Sequence, residues 1–393
     1  MRKAIRIGLV VAMVGAGLMV GTATASALTN TYTGTINTSD PTMPVVGIST
    51  PVCTTQLVTP VHYDVIELLH PLPGIHSFAM TSTGTTPGFA SAYLYEGSFD
   101  PTNPLENCVA ADNGADPVEI TYDFLRGTPY FLVVFDDQFA QPGGDYEVVE
   151  QTPNPSPSTV GLVNPANAEW HLLNQVGAVT NFIYGNPGDF PMSGDWNCDG
   201  IDTPGLYRQS DGFVYLRNSN SQGIANIRFF FGNPGDLPLA GDFDGDGCDT
   251  VSIYRASEAR IYVINELGAN DGGLGAADFS FLFGNQGDKP FVGDFDGNGV
   301  DSVGLHREST GFVYFRNTLN TGNASNEFFF GDPGDRFVAG DWGVVDRVAT
   351  PGLFRPGNTT FYFRHTNTQG TADSSIFFGQ ASWLPVSGVF GLG

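Results

Sequence analysis

A Phe-Gly or Tyr-Gly pair recurs five times, at Tyr184-Gly185, Phe231-Gly232, Phe283-Gly284, Phe330-Gly331 and Phe378-Gly379, with spacings of 47, 52, 47 and 48 residues. A repeat of this length is one supersecondary unit that cannot bury its apolar face alone, so neighbouring copies must stack. Four of the pairs lead into an x-Gly-Asp turn ending at Asp189, Asp236, Asp288 and Asp335. A second Gly-Asp follows at Asp195, Asp242, Asp294 and Asp341, then a short apolar run ending in Arg208, Arg255, Arg307 or Arg355. A further aromatic run ends in Arg217, Arg316 or Arg364 in three units. Four short β-rich runs per unit, separated by Gly, Asn, Asp and Pro, fit a four-stranded sheet.

The ends of the repeat region constrain the topology. Thr159 to Val163 matches the second strand of later units, and Pro385 to Phe390 matches the first. The first unit lacks its first strand and the end of the sequence supplies one, which removes open sheet edges. The expectation is a five-bladed β-propeller over residues 159–393 closed by the C-terminal strand. An open stack, or a larger ring shared between chains, is the alternative.

The preceding 28–151 region shows no repeat. Its short alternating runs, such as Ala90 to Tyr95, Val118 to Phe124 and Pro129 to Phe135, predict a β-sandwich domain, so the whole chain reads as all-β. The Pro-rich stretch 152–158 reads as an extended linker. Residues 1–27 have a basic start (Arg2, Lys3, Arg6), an apolar run from Ile7 to Gly21 and the small-residue site Ala25-Ser26-Ala27. They read as a signal peptide, the alternative being an uncleaved anchor. Its removal leaves 13 basic residues and a formal charge of -28. That balance excludes a nucleic-acid partner and docking on anionic lipid, and no later segment is apolar enough for membrane insertion. The expected localisation is secreted. Export permits disulfides, and Cys53–Cys108 with Cys198–Cys248 is the simplest of three connectivities.

Three loops carry the pattern that could hold a metal. They are Asp195-x-Asn197-x-Asp199-Gly200-x-Asp202, Asp242-x-Asp244-x-Asp246-Gly247-x-Asp249 and Asp294-x-Asp296-x-Asn298-Gly299-x-Asp301. Ca²⁺ takes six to eight oxygens from a tight turn. Alternate side chains aim inward, Gly lets the chain bend back, and the last Asp would complete the shell. An Asx-rich turn without metal is the alternative. The fourth loop has Gly343 and Val345 where ligands should stand, and the fifth, 388–393, has no acid.

The Phe-Gly pairs and the stretch Gly241-Asp-Phe-Asp-Gly-Asp-Gly-Cys-Asp249 resemble the FG-GAP/VCBS repeats of integrin α-subunit propellers and of many bacterial secreted proteins. The resemblance implies a calcium-binding propeller. In that pattern the last Asp often stands one residue later than Asp202, Asp249 and Asp301 do. The N-terminal region is similar to the bacterial pre-peptidase C-terminal domain through Leu125 to Val134 and Gly144 to Val149. That resemblance implies a secreted β-sandwich that does no chemistry.

Positions repeated in every unit usually serve packing. The arginines are therefore expected to pair with Asp189, Asp236, Asp288 and Asp335 rather than bind an anionic ligand. No H-E-x-x-H or G-x-S-x-G motif occurs. The polar connections 218–226, 265–278, 317–326 and 365–373 are expected on the same rim as the acidic loops. The reading is an exported, non-enzymatic, calcium-stabilised binding or adhesion protein for an extracellular glycan or protein. A secreted glycosidase or peptidase is the alternative, favoured by carboxylates converging at the ring centre.

Overall fold

The computed structural model describes residues 28–68, 74–83, 90–113, 117–125, 128–136, 144–152, 157–268, 272–273, 276–342 and 348–391. The stretch 1–27 expected to be a signal peptide, the centre of the Pro-rich stretch and the body of the fourth acidic loop lie outside them. The chain divides into two compact units, Met1–Asn154 and Pro155–Gly393. Among the described residues every regular element is a strand, and no helix is long and apolar enough to cross a membrane.

The first unit consists of two antiparallel sheets, one of four strands and one of five. Strand Val118–Phe124 shows the logic: Val118, Ile120 and Phe124 turn inward while Glu119 and Asp123 face water. Inward residues of both sheets, among them Phe78, Ile120, Val148, Leu94 and Leu132, form one core. The Cys53–Cys108 disulfide links strands Val52–Leu68 and Cys108–Asp112.

The second unit holds five sheets, each of four antiparallel strands, and one of them adds the short parallel strand Gly272–Gly273 beside Ile227–Phe230. Each runs from an innermost strand outward to a fourth. The second strands, Thr203–Arg208, Thr250–Arg255, Ser302–Arg307 and Thr350–Arg355, are buried on both faces. They are flanked within their own sheet and covered by the sheets on either side, which explains their unbroken apolar runs. Outer strands such as Ile227–Phe230 and Phe279–Leu282 alternate, with only Phe229 and Phe281 fully buried.

The Phe-Gly pairs are explained by close approach. Phe231, Phe283 and Phe330 are core residues. The following glycines sit in the left-handed region, with φ of 107° at Gly232 and 91° at Gly331. A Cβ at Gly232 would lie 2.8 Å from the Tyr207 hydroxyl, and one at Gly331 2.9 Å from Phe337, so only Gly fits.

Strand Leu384–Gly388 pairs antiparallel with Thr159–Asn164, Thr159 opposite Gly388 and Val163 opposite Leu384, as the repeat boundaries predict. The innermost strands are Phe190–Gly194, Leu237–Gly241, Lys289–Gly293, Arg336–Gly340 and Leu384–Gly388. Each touches the next in this order, and Leu384–Gly388 touches Phe190–Gly194 again.

Candidate metal loops and the rim they share

A loop, acidic in the first four sheets, leaves the end of each innermost strand. Its second residue is a buried aromatic anchor: Trp196, Phe243, Phe295, Trp342 and Phe390 in the five sheets. The Trp196 indole donates to the Thr203 carbonyl at 3.1 Å and Trp342 to Thr350 at 2.8 Å, tying both ends of the loop together.

The first Asp then organises the turn. One Asp195 oxygen accepts the N–H of Asp199 at 3.0 Å and the other that of Gly200 at 2.7 Å. Asp242 accepts Gly245 at 2.7 Å, Asp246 at 3.1 Å and Gly247 at 2.8 Å. Asp294 repeats the set with Gly297, Asn298 and Gly299 at 2.8, 3.1 and 2.7 Å. Asp199, Asp246 and Asn298 each accept the N–H two residues on. These bonds fix the loop before any ion arrives.

In the second loop the Asp242, Asp244 and Asp246 carboxylates each place an oxygen within 4.8 Å of the others. Burial pushes the Asp242 carboxyl up to about 7, against the N–H of Gly247, with the charges of Asp249 and Asp246 adding to the rise. Burial also raises Asp244, again with Asp246 adding to it. In the third loop burial raises Asp294, and Asp296 works in the same direction. Asn197 and Asn298 stand in for one acid in the other two loops, so the second loop has the most negative donor set. An all-oxygen set of this kind suits a hard divalent cation.

The last Asp of each loop reaches across to the neighbouring sheet. The expectation is that Asp202, Asp249 and Asp301 close the shell of their own loops. Each commits one oxygen to the neighbouring sheet, and Asp249 stands outside the carboxylate group of its loop. Asp249 accepts the Asp195 N–H at 2.7 Å, Asp301 accepts that of Asp242 at 3.0 Å, and Asp202 accepts that of Val389 at 2.6 Å. In return the backbone N–H of Asp249, Asp301 and Asp202 donates to the carbonyls of Asp195, Asp242 and Val389 at 3.0, 2.6 and 2.8 Å. Ser158 does the same with Asp341: its N–H donates to the Asp341 carbonyl at 3.0 Å and its hydroxyl oxygen accepts the Asp341 N–H at 3.1 Å. At the fifth junction Ala349 keeps only the backbone bond, to Asp294 at 2.7 Å. All five sheet-to-sheet junctions therefore share one backbone N–H to carbonyl bond, and four of them return it through a side-chain oxygen. The signal available in the sequence was the early placement of these acids, directly before the second strand, where Ser158 also stands.

The Cys198–Cys248 disulfide adds a covalent link between the first two loops, with Cα atoms 4.7 Å apart. Both disulfides match the expected pairing and fit an oxidising environment.

The repeated arginines divide into two sets. Arg208, Arg255, Arg307 and Arg355 are bidentate to Asp189, Asp236, Asp288 and Asp335, with N–O distances of 2.6–2.9 Å. Three also donate to Tyr215, Tyr262 or Tyr314. These are the expected packing pairs. Arg217, Arg316 and Arg364 differ, because each is enclosed by its own polar connection. Arg217 donates to the carbonyls of Ser221 and Ile224 at 2.6 and 2.8 Å, Arg316 to that of Asn320 at 2.5 Å, and Arg364 to that of Thr368 at 3.1 Å. Gly223, Gly322 and Gly370 supply the space, since a Cβ there would meet the guanidinium. These connections are fixed scaffolds. Asn220 donates to the Asp202 carbonyl at 3.0 Å, which puts the polar connections and acidic loops on one rim.

No protein-family description matches the chain, and no curated protein is similar to it. Among solved structures the chain is similar to BBS1N, crystallised in complex with ARL6DN, with 9% identity over 58% of this chain and 70% of that one and a TM-score of 0.33. It is also similar to an inactive virginiamycin B lyase from Staphylococcus aureus, with 11% identity over 59% and 73% of the two chains and a TM-score of 0.31.

Proposed function

We propose that the protein is an exported, calcium-stabilised binding or adhesion protein. Its second unit is a five-bladed β-propeller closed by Leu384–Gly388, and its first unit is a β-sandwich. The cyclic order of innermost-strand contacts supports the ring. The observation that carries the functional reading is the shared rim. Three carboxylate-rich loops and three arginine-pinned polar connections meet there on a scaffold that positions them rigidly. Rigid polar loops on such a scaffold suit recognition of an extracellular glycan or protein. The innermost strands contain no Asp or Glu, which favours binding over hydrolysis at the ring centre.

Asp242, Asp244 and Asp246 would hold Ca²⁺ through side-chain oxygens, with Asp195, Asn197 and Asp199 and with Asp294, Asp296 and Asn298 as weaker sites. The ion would supply counter-charge to the half-buried Asp242 carboxylate. Saturation at about 100 times the dissociation constant should add about 2.7 kcal/mol per independent site. The test is a glycan and matrix-protein binding screen with and without Ca²⁺, beside a melting curve in chelator. A melting temperature indifferent to both chelator and millimolar Ca²⁺ rules out the calcium role, and an empty screen rules out the binding role.

A further inference from the structure

The opposite end of the innermost strands carries a second candidate site. Their first residues, Phe190, Leu237, Lys289, Arg336 and Leu384, are equivalent by register, facing Tyr207, Tyr254, His306, Phe354 and Val163 on the second strands. Because the innermost strands touch in cyclic order, these five residues surround one mouth. Each strand is five residues long, which puts the mouth about 13 Å from the acidic loops. All five are partly or fully exposed. Three neighbours in the cycle, Leu384, Phe190 and Leu237, are apolar, and the adjacent two, Lys289 and Arg336, are cationic.

The two cations stand in a chain with few basic residues. The mature sequence has 13 basic residues against 41 acids. Four arginines are neutralised by bidentate aspartates and three are enclosed by their own connections. Among the described residues neither Lys289 nor Arg336 meets a carboxylate. The acids directly before them in sequence, Asp288 and Asp335, are buried and held by Arg307 and Arg355. Facing Lys289 across the sheet, His306 is kept neutral by burial, with Asp335 and Asp288 pulling the other way. Arg336 donates to the Trp383 carbonyl, a neutral acceptor. Burial lowers its pKa, so the partly desolvated guanidinium is without compensating charge.

We propose that this mouth binds an amphipathic carboxylate, the anionic head on Lys289 and Arg336 and the apolar body on Phe190, Leu237 and Leu384. A guanidinium beside an ammonium suits a carboxylate, the first through its planar fork and the second as a point charge. The site rests on the ring reading. Its own test leaves that reading untouched, because the chelator and truncation experiments examine the rim and the ring without the ligand.

The probe is decanoate, titrated calorimetrically into the full chain, beside decanol and acetate. The variant is K289L/R336L. Leucine already occupies this position in two sheets, so the variant should fold, which an unchanged melting temperature checks. The expected result is saturable decanoate binding weakened at least tenfold in the variant, acetate binding at least tenfold weaker than decanoate, and decanol binding equal in both proteins. Decanoate bound equally by both proteins, or by neither, overturns the proposal. Acetate bound as tightly as decanoate overturns the apolar half of the site.

Discussion

The Asp249 carboxylate accepts the backbone N–H of Asp195 at 2.7 Å, and the Asp249 N–H donates back to the Asp195 carbonyl at 3.0 Å. The two residues are 54 positions apart and begin and end different acidic loops. One side chain therefore satisfies a buried donor of the neighbouring sheet and fixes the spacing between the two sheets.

Replacing Asp249 by Ala should cost about 1.5–3 kcal/mol in urea unfolding, the usual loss for a charge-assisted bond to a buried donor. The fold should survive, because Ala349 stands at the equivalent junction with only the backbone bond. Asp249→Asn should recover part of the loss, since its amide oxygen still accepts. A loss below 0.5 kcal/mol for the alanine variant would mean the carboxylate holds nothing together.

His306 gives the protein an acid sensitivity of known sign. It is fully buried, stacks on Phe337 at 4.0 Å, and neither ring nitrogen has a hydrogen-bond partner. Burial holds its pKa down to about 4, against about 6.5 for the unfolded chain. Its contribution is complete above about pH 6.5 and is lost as the pH falls toward 4, amounting to about 3 kcal/mol. His306→Phe, which places there the residue found at Phe354, should remove that part of the slope. Identical pH–stability curves for the two proteins would refute the assignment.

Gly223→Ala should unseat Arg217, because the new methyl would stand 2.6 Å from Nη2. The side chain can move away, so the melting temperature should shift little. The amides of 218–226 should exchange at least tenfold faster, readable by hydrogen-exchange mass spectrometry. Unchanged exchange would show that the arginine does not pin the connection.

A chain ending at Trp383 should lose cooperative unfolding or aggregate, because Thr159–Asn164 loses its partner along the whole of Leu384–Gly388. Removing the first unit should leave the thermal unfolding of the second cooperative. A truncated chain that stays monomeric with an unchanged melting temperature would rule out the closed ring.

The sheets, their order and the strand that completes the first one were legible because Phe-Gly and Gly-Asp mark turns whose geometry depends on local residues. The Cys198–Cys248 disulfide followed from two cysteines in adjacent acidic loops, and Cys53–Cys108 from the remaining two falling together in the first unit. The part played by Asp202, Asp249 and Asp301 was not legible from spacing within one loop. Their partners lie one sheet away, and a motif read along the chain assigns a carboxylate to the loop that contains it. Arg217, Arg316 and Arg364 escaped for a related reason. Most of their partners are backbone carbonyls, which leave no mark on the sequence except the glycine six residues later that makes room.

The pairing of Thr159 with Gly388 spans 229 residues and has a consequence for synthesis. A nascent chain presents the early sheets long before the strand that completes them has been made. Until residues 384–388 emerge, Thr159–Asn164 keeps an open edge and its neighbours keep apolar faces uncovered. Such a chain closes its first sheet only after the last repeat has cleared the ribosome.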